Sequence, residues 1–156
     1  MNTNSQREAA ARATCVLLML AILVPALVLL AGCGGNTPEG AVRGHLNAWQ
    51  SLNWEAYKKT VNPEKKLTKD QEELAKQKFK QIQVKFQDLK MQTGLDPKDK
   101  NRATVTIVSG KAIYTATILG KKKTDTQDIT KMDSRDRPTF DVVRMNGAWY
   151  VDTKLG

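Results

Sequence analysis

The chain has 156 residues, a formal net charge of +9, a hydrophobic fraction of 40% and only two cysteines. This length suits one domain with its own hydrophobic core, and two cysteines exclude a small scaffold held together by several disulfides. The sequence contains no internal repeat and no low-complexity tract, which excludes a repeat architecture.

The amino-terminal segment, positions 1–32, has the three parts of a secretory signal. Arg7 and Arg12 outweigh Glu8, so the amino terminus is net positive, and an almost wholly apolar run follows at positions 13–31. We therefore predict that residues 1–32 form a signal peptide. The alternative is an uncleaved membrane anchor, because a helix of about 17–25 apolar residues can span a bilayer.

The apolar run ends in a segment that resembles the lipobox of bacterial lipoproteins: Leu30, Ala31, Gly32 and Cys33. The resemblance implies that Cys33 is lipidated through a thioether, carries acyl chains such as palmitate, and becomes the first residue of the mature protein. The uncharged residues 34–38 favour this interpretation over a retained membrane helix. Cys15 would leave with the signal, so the mature domain would have no disulfide. We expect a lipid-anchored protein on the extracytoplasmic face of the cell membrane.

The mature chain would remain strongly basic, because only Arg7, Arg12 and Glu8 leave with the signal. Such an excess of positive charge favours attraction to anionic surfaces, which outside the membrane are lipid headgroups or acidic wall polymers. Nucleic acid is not an expected partner there. The competing interpretation is that the lysines simply keep the surface solvated, because many of them stand beside Glu and Asp.

A short lipidated linker, residues 33–36, leads to the first predicted helix. Thr37 is a suitable cap, followed by Pro38 and an acid, and one apolar face then recurs at helical spacing through Val42, His45, Leu46, Trp49 and Leu52. Asn53 is predicted to cap a second helix over residues 54–61, which Asn62-Pro63 ends.

Thr68 and Gln71 have the spacing of a capping box, which predicts a third helix as far as Phe79. Its buried stripe is predicted to contain Leu74, Ala75 and Phe79, with Ile82 as a further candidate. Because this apolar side is narrow, we expect the helix to pack on a sheet and not to lie in a membrane.

Beyond residue 81 the apolar period becomes that of strands. Ile82, Val84 and Phe86 alternate, and Leu89 and Met91 alternate with the opposite parity, which predicts a bulge or bend near Gln87 and Asp88. Residues 94–101 are predicted to be a loop, and residues 103–108 and 112–119 to be two strands joined around Ser109-Gly110. Residues 120–138 are either a long loop or fraying strand ends.

The clearest hairpin has strands at residues 140–145 and 148–153 around Asn146-Gly147. In a two-residue register, Phe140, Val142, Trp149 and Val151 share one face. Asp141 then lies opposite Asp152, and facing like charges are unfavourable. Either a lysine or arginine lies nearby, or a bulge at Gly147 shifts the pairing.

Three segments, AVRGHLNAW (41–49), NWEAY (53–57) and VVRMNGAWYV (142–151), resemble the nuclear transport factor 2-like superfamily, also described as a cystatin-like cone. The resemblance implies an α+β domain over residues 37–156, with amino-terminal helices packed on a strongly curved antiparallel sheet around a cone-shaped pocket. The residues that could line this pocket are His45, Trp49, Trp54, Tyr57, Phe86, Tyr114, Phe140 and Trp149. The competing interpretation is that these side chains fill a hydrophobic core.

The superfamily includes ketosteroid isomerase-like enzymes, and the resemblance implies that such a pocket could use His45 with a carboxylate. Asp141 could supply that carboxylate only in the bulged register. No serine can be matched to a base, and one histidine without a free cysteine argues against a transition-metal site. The aspartates between residues 125 and 136 lack the spacing of a calcium loop, and no glycine-rich phosphate cradle occurs.

We therefore expect a non-catalytic cell-envelope lipoprotein, without a cofactor, that binds a partner protein, a wall component or a small apolar ligand. The alternative is the ketosteroid isomerase-like enzyme that uses His45. A third possibility is a structural domain that forms a homodimer through the outer face of its sheet.

Overall fold

The computed structural model describes residues 35–118 and 121–153. Within them the chain forms an α+β domain in which three helices pack on a strongly curled antiparallel sheet, a half-barrel. The helices are α1 (Pro38–Gln50), α2 (Trp54–Thr60) and α3 (Lys69–Gln81). The strands are β1 (Ile82–Leu95), β2 (Arg102–Ile118), β3 (Lys121–Asp128), β4 (Thr139–Met145) and β5 (Ala148–Val151). The predicted signal peptide and the lipobox with Cys33 lie outside the described residues.

The three helices begin at the predicted caps. The Thr37 hydroxyl accepts from the Gly40 amide at 3.0 Å, and the Asn53 side chain accepts from the Ala56 amide at 3.0 Å. At α3 both bonds of the capping box with Thr68 are present, at 3.0 and 3.4 Å. Each cap satisfies an amide that the first helical turn leaves free, so local sequence alone sets these boundaries.

The long strands β1 and β2 bend together at a matched irregularity. The register shifts between Gln87 and Lys90, and Asp88 has a φ of 52°, as the change of parity in β1 predicts. On β2, Gly110 has a φ of 118°, and a Cβ there would approach the Gln87 carbonyl oxygen to 2.7 Å. The predicted connection at Ser109-Gly110 is therefore wrong: residues 102–118 form one strand, because pairing with β1 carries the chain through the bend.

Of the two alternatives for residues 120–138, a long loop is wrong for residues 121–128, which are a strand. Residues 121–128 form β3, which pairs with residues 111–118 of β2, and the short 3₁₀ turns Ile129–Lys131 and Ser134–Asp136 follow. β3 consists of polar residues, most of them exposed, so its own sequence shows no buried face. Hydrogen bonding to β2 makes this segment a strand.

The hairpin of β4 and β5 has the two-residue register. Val142 pairs with Val151 and Arg144 with Trp149, and the turn residues Asn146 and Gly147 both have positive φ. Asp141 and Asp152 do face each other, and the Asp152 amide donates to the Asp141 carbonyl at 2.7 Å. Of the two predicted solutions, nearby positive charge is correct, since Lys65 and Arg102 lie 2.8 and 3.6 Å from the Asp152 carboxylate.

The main core lies between α1 and the sheet. It contains Val42 and Leu46 from α1, together with buried residues of β2, β4 and β5, among them Val105, Val142 and Trp149. Trp149 is only 6% exposed, as its position in the predicted hairpin suggested.

A smaller cluster joins α2 to α3 through Trp54, Val61, Ala75 and Phe79. The predicted stripe of α3 is therefore narrower than expected. Leu74 is 54% exposed and Ile82 is 43% exposed, because α3 packs mainly on α2 and only its Ala75–Phe79 side is covered.

Candidate functional site

His45, the single histidine, is buried inside the helical layer. It lies on α1, is 3% exposed, and packs against the Tyr57 ring at a centroid distance of 4.3 Å and against Phe140 at 6.2 Å. Its Nδ1 lies 2.8 Å from the Thr60 hydroxyl. All three of these contacts are with neutral groups.

The hydrogen bonds of Thr60 show which nitrogen of the His45 imidazole carries the proton. The Thr60 hydroxyl donates its only proton to the Tyr57 carbonyl at 2.6 Å, so it can only accept from His45. Nδ1 of His45 therefore carries the proton and donates to Thr60. Burial lowers the pKa of His45 to about 4, and the ring is neutral at physiological pH.

No carboxylate is among the described contacts of the His45 ring. Asp141, the predicted candidate acid, lies on the outer face of the sheet, where it accepts from the Thr104 hydroxyl at 3.3 Å. The unbulged hairpin register places it there. His45 and Asp141 are thus on opposite sides of the sheet and do not form an acid–base pair.

Seven of the eight predicted lining residues, all except His45, are divided between the two clusters. Trp149 belongs to the main core, with Phe86, Tyr114 and Phe140 packed against it. Trp54 and Tyr57 belong to the α2–α3 cluster, while Trp49 touches both. Burial raises the pKa of Tyr57 and of Tyr114, as expected for phenols that are packed as core side chains.

Three of those residues do border a small pocket between α2 and α3. Its volume is about 210 Å³, and it is lined by Trp49, Trp54, Tyr57, Ala75, Lys78, Phe79 and Ile82. The rings of Tyr57 and Phe79 are 4.6 Å apart, and those of Trp54 and Phe79 are 5.5 Å apart. Ligand sites usually measure about 300–1,000 Å³, so this pocket is small for one.

A larger groove lies at the carboxyl-terminal end of α2 and along the segment that follows it, where no site was predicted. We call it the lysine groove; its volume is about 540 Å³, and it is lined by Lys58, Lys59, Val61, Asn62, Pro63, Lys65, Lys66, Leu67, Glu72 and Tyr150. The sequence does contain a signal for it, because two Lys-Lys pairs flank Asn62-Pro63. Taken alone, that dipeptide predicts only the end of a helix.

Two of the four lysines are held by acids. Lys58 Nζ lies 2.6 Å from Glu72 Oε1, and this hydrogen bond raises the pKa of Lys58 and lowers that of Glu72. Lys65 Nζ lies 2.8 Å from the Asp152 carboxylate. Burial alone would raise the pKa of Asp152, but hydrogen bonds from Lys65 and Asn62 lower it overall.

The other two lysines, Lys59 and Lys66, are exposed and have no acidic partner among residues 35–118 and 121–153. Between the lysines, Val61, Pro63, Leu67 and Tyr150 give the groove an apolar wall. The groove therefore combines unneutralised positive charge with apolar surface. Such a site can hold an anionic group attached to a hydrocarbon portion.

The sequence matches no protein-family model, and it has no significant match among curated proteins. In the part of the chain that the structure describes, no helix is long and apolar enough to cross a membrane. The same residues contain no group of three or more His, Cys, Asp or Glu side chains arranged to hold a metal ion.

Proposed function

We propose that this chain is a non-catalytic lipoprotein of the bacterial cell envelope, anchored to a membrane through Cys33. Residues 37–156 form its binding domain, with the nuclear transport factor 2-like fold. The lipobox at the end of the apolar run supports the anchor. Three helices on a curled antiparallel sheet support the fold, since this is the architecture that the sequence resemblance implies.

The surroundings of His45 carry the non-catalytic part of the proposal. A general base must reach the proton that it removes and needs a pKa near the working pH. His45 is 3% exposed, donates its Nδ1 proton to Thr60, and has a pKa of about 4. The ketosteroid isomerase-like alternative would need His45 and a carboxylate to converge in one open pocket.

The lysine groove supports an anionic component of the envelope as the partner. Its volume of about 540 Å³ is within the usual range for a binding site, whereas the aromatic pocket is below that range. The outer face of the sheet offers less to a homodimer. Its centre carries Thr104, Thr106, Thr139 and Asp141, which bond to one another.

Two variants test this function together. Cys33→Ser should abolish acyl labelling and reproduce the phenotype of a deletion strain, because the protein loses its anchor. His45→Gln keeps a hydrogen-bond donor near Thr60 and should behave like the wild type once folding and lipidation are verified. The lipid on Cys33 is measured by mass spectrometry of membrane-extracted protein.

Two results would contradict the proposal. The first is wild-type protein with an intact amino terminus and no lipid on Cys33. The second is folded, lipidated His45→Gln protein that behaves like a deletion, which would favour the ketosteroid isomerase-like enzyme.

A further inference from the structure

The start of the described chain is fixed against the edge of β5. The Gly35 amide donates to the Trp149 carbonyl at 3.2 Å, and the Trp149 amide donates to the Gly35 carbonyl at 2.9 Å. A Cβ on Gly35 would overlap the backbone of Gly40 and Ala41, so this residue is held closely between β5 and α1. The domain thus has a defined point at which the preceding chain meets it.

The lysine groove begins at the same edge of β5. The Asn62 amide donates to the Val151 carbonyl at 2.9 Å, and Val61 forms a bridge with Val151. Residues 149 and 151 of a strand point their backbone groups to the same side and are about 7 Å apart. Val61 and Asn62, which line the groove, therefore lie about one strand repeat from Gly35.

Covalent geometry then limits how far the groove can be from the proposed anchor. Cys33 precedes Gly35 by two positions in the chain, and two residue steps span at most about 7 Å. A bilayer that holds acyl chains on Cys33 must lie close to the edge of β5. Val61 and Asn62, which contact that edge, and Tyr150 of β5 itself line the groove.

The chemistry of the groove matches a headgroup of such a bilayer. Lys59 and Lys66 are without an acidic partner among the described residues, and Val61, Pro63 and Leu67 add apolar surface to the same groove. Lysine stems can cover apolar surface while their ammonium groups bind phosphate. An anionic phospholipid offers a phosphodiester next to a glycerol backbone with acyl chains.

We propose that the lysine groove binds the phosphate headgroup of an anionic phospholipid in the same bilayer that holds the lipid anchor. The inference rests on the proposed lipidation of Cys33. The domain then has two attachments, acyl chains on Cys33 and a headgroup in the groove. An acyl anchor combined with a basic patch is a sufficient pair of signals for stable membrane binding.

Lysine protection in vesicles tests the inference. The lipidated protein is reconstituted in vesicles of phosphatidylcholine alone or with roughly 30% phosphatidylglycerol, which gives the surface a negative potential, and labelled with an amine-reactive reagent. Labelling of Lys59 and Lys66 should fall at least about threefold in the anionic vesicles. Lys122 and Lys123 provide the internal control, since they pair with the far end of β2, and their labelling should change less than about twofold.

A pair of matched variants gives a second readout. Native mass spectrometry of the detergent-extracted wild type should detect bound phosphatidylglycerol, and the variant Lys59→Gln with Lys66→Gln should lose it. Lys122→Gln with Lys123→Gln removes the same charge and should keep that lipid. The inference would be overturned if the two double variants retained phosphatidylglycerol equally. It would also be overturned if the labelling of all four lysines changed by the same factor between the two kinds of vesicle.

Three further outcomes separate this inference from the proposed function. A soluble glycerol phosphate polymer that protects Lys59 and Lys66 equally in phosphatidylcholine vesicles would make a wall polymer the occupant, and the headgroup inference would be wrong. A Cys33 peptide without lipid would overturn both proposals. A lipidated Cys33 with unprotected groove lysines overturns only the inference about the groove.

Discussion

The two sides of α2 differ sharply in charge. On the inner side, Trp54 and Thr60 are buried, and Thr60 binds a neutral His45. On the outer side, Lys59 is exposed and borders a groove lined by four lysines and one acid. A short helix thus separates the only histidine from a cluster of accessible positive charge. The single histidine is therefore packed in the interior, whereas the exposed lysines remain accessible to the anionic partner that we propose.

We expect the largest loss of stability from a substitution in the main core between α1 and the sheet. Trp149→Ala removes a 6% exposed indole from the main cluster and should reduce the free energy of unfolding by about 3–5 kcal/mol. Denaturant melts of the chain would measure this loss. A loss below about 1 kcal/mol would place Trp149 outside the core and remove the distinction between an inner and an outer side.

The neutral state of His45 predicts a pH dependence of stability. Its pKa is about 4 in the folded protein and about 6.5 when unfolded, so the unfolded chain binds more protons between these values. Stability from this group is complete above pH 6.5 and is lost as the pH falls, by about 3 kcal/mol between pH 7 and pH 4.

His45→Gln is the control for that titration, because glutamine does not titrate. The difference in unfolding free energy between wild type and His45→Gln should shrink steadily as the pH falls from 7 to 4. A difference that is constant with pH would mean that His45 titrates normally and is not enclosed by neutral groups.

Thr60→Val tests the hydrogen bond on the inner side of α2. Valine has a similar shape but leaves the Nδ1 proton of buried His45 without its acceptor, so we expect a loss of about 1–3 kcal/mol. Thr124→Val is the matched control, since Thr124 bonds to Thr115 at an exposed position, and it should change stability by less than about 0.5 kcal/mol. Similar losses of unfolding free energy in the two variants would mean that the buried Thr60–His45 bond stabilises the fold no more than an exposed hydroxyl pair does.

Substitutions on the outer side of α2 and in the adjoining lysine groove should reduce the free energy of unfolding least. Lys59→Gln with Lys66→Gln removes two exposed charges that have no described acidic partner, and unfolding free energy should change by less than about 0.5 kcal/mol. The variant would then alter binding without altering the fold. A loss above about 1.5 kcal/mol in chemical denaturation exceeds what surface substitutions usually cost and would show that these lysines serve the structure.

Features that depend on neighbouring residues were predictable from the sequence. The caps at Thr37, Asn53 and Thr68 each satisfy an amide within the first turn of their helix, and the Asn146-Gly147 turn supplies its own positive φ. The bend in β1 was visible as a change of parity. In all these cases the residues that determine the geometry are close together in the chain.

Features that depend on pairing were not predictable. Ser109-Gly110 has turn chemistry, yet β2 continues through it because β1 bends at the matching position. The polar residues of β3 become a strand only by bonding to β2. The lysine groove was missed for the same reason, since Tyr150 closes it from the last strand, far along the chain from Leu67.

One complementation experiment compares the two sides of α2 directly. A deletion strain receives lipidated His45→Gln protein or lipidated Lys59→Gln, Lys66→Gln protein, each verified as folded and equally abundant. We expect the His45 variant to restore the wild-type phenotype and the lysine variant to fail to do so. Restoration by the lysine variant together with failure of the His45 variant would contradict the account, because it would place the function at the buried histidine.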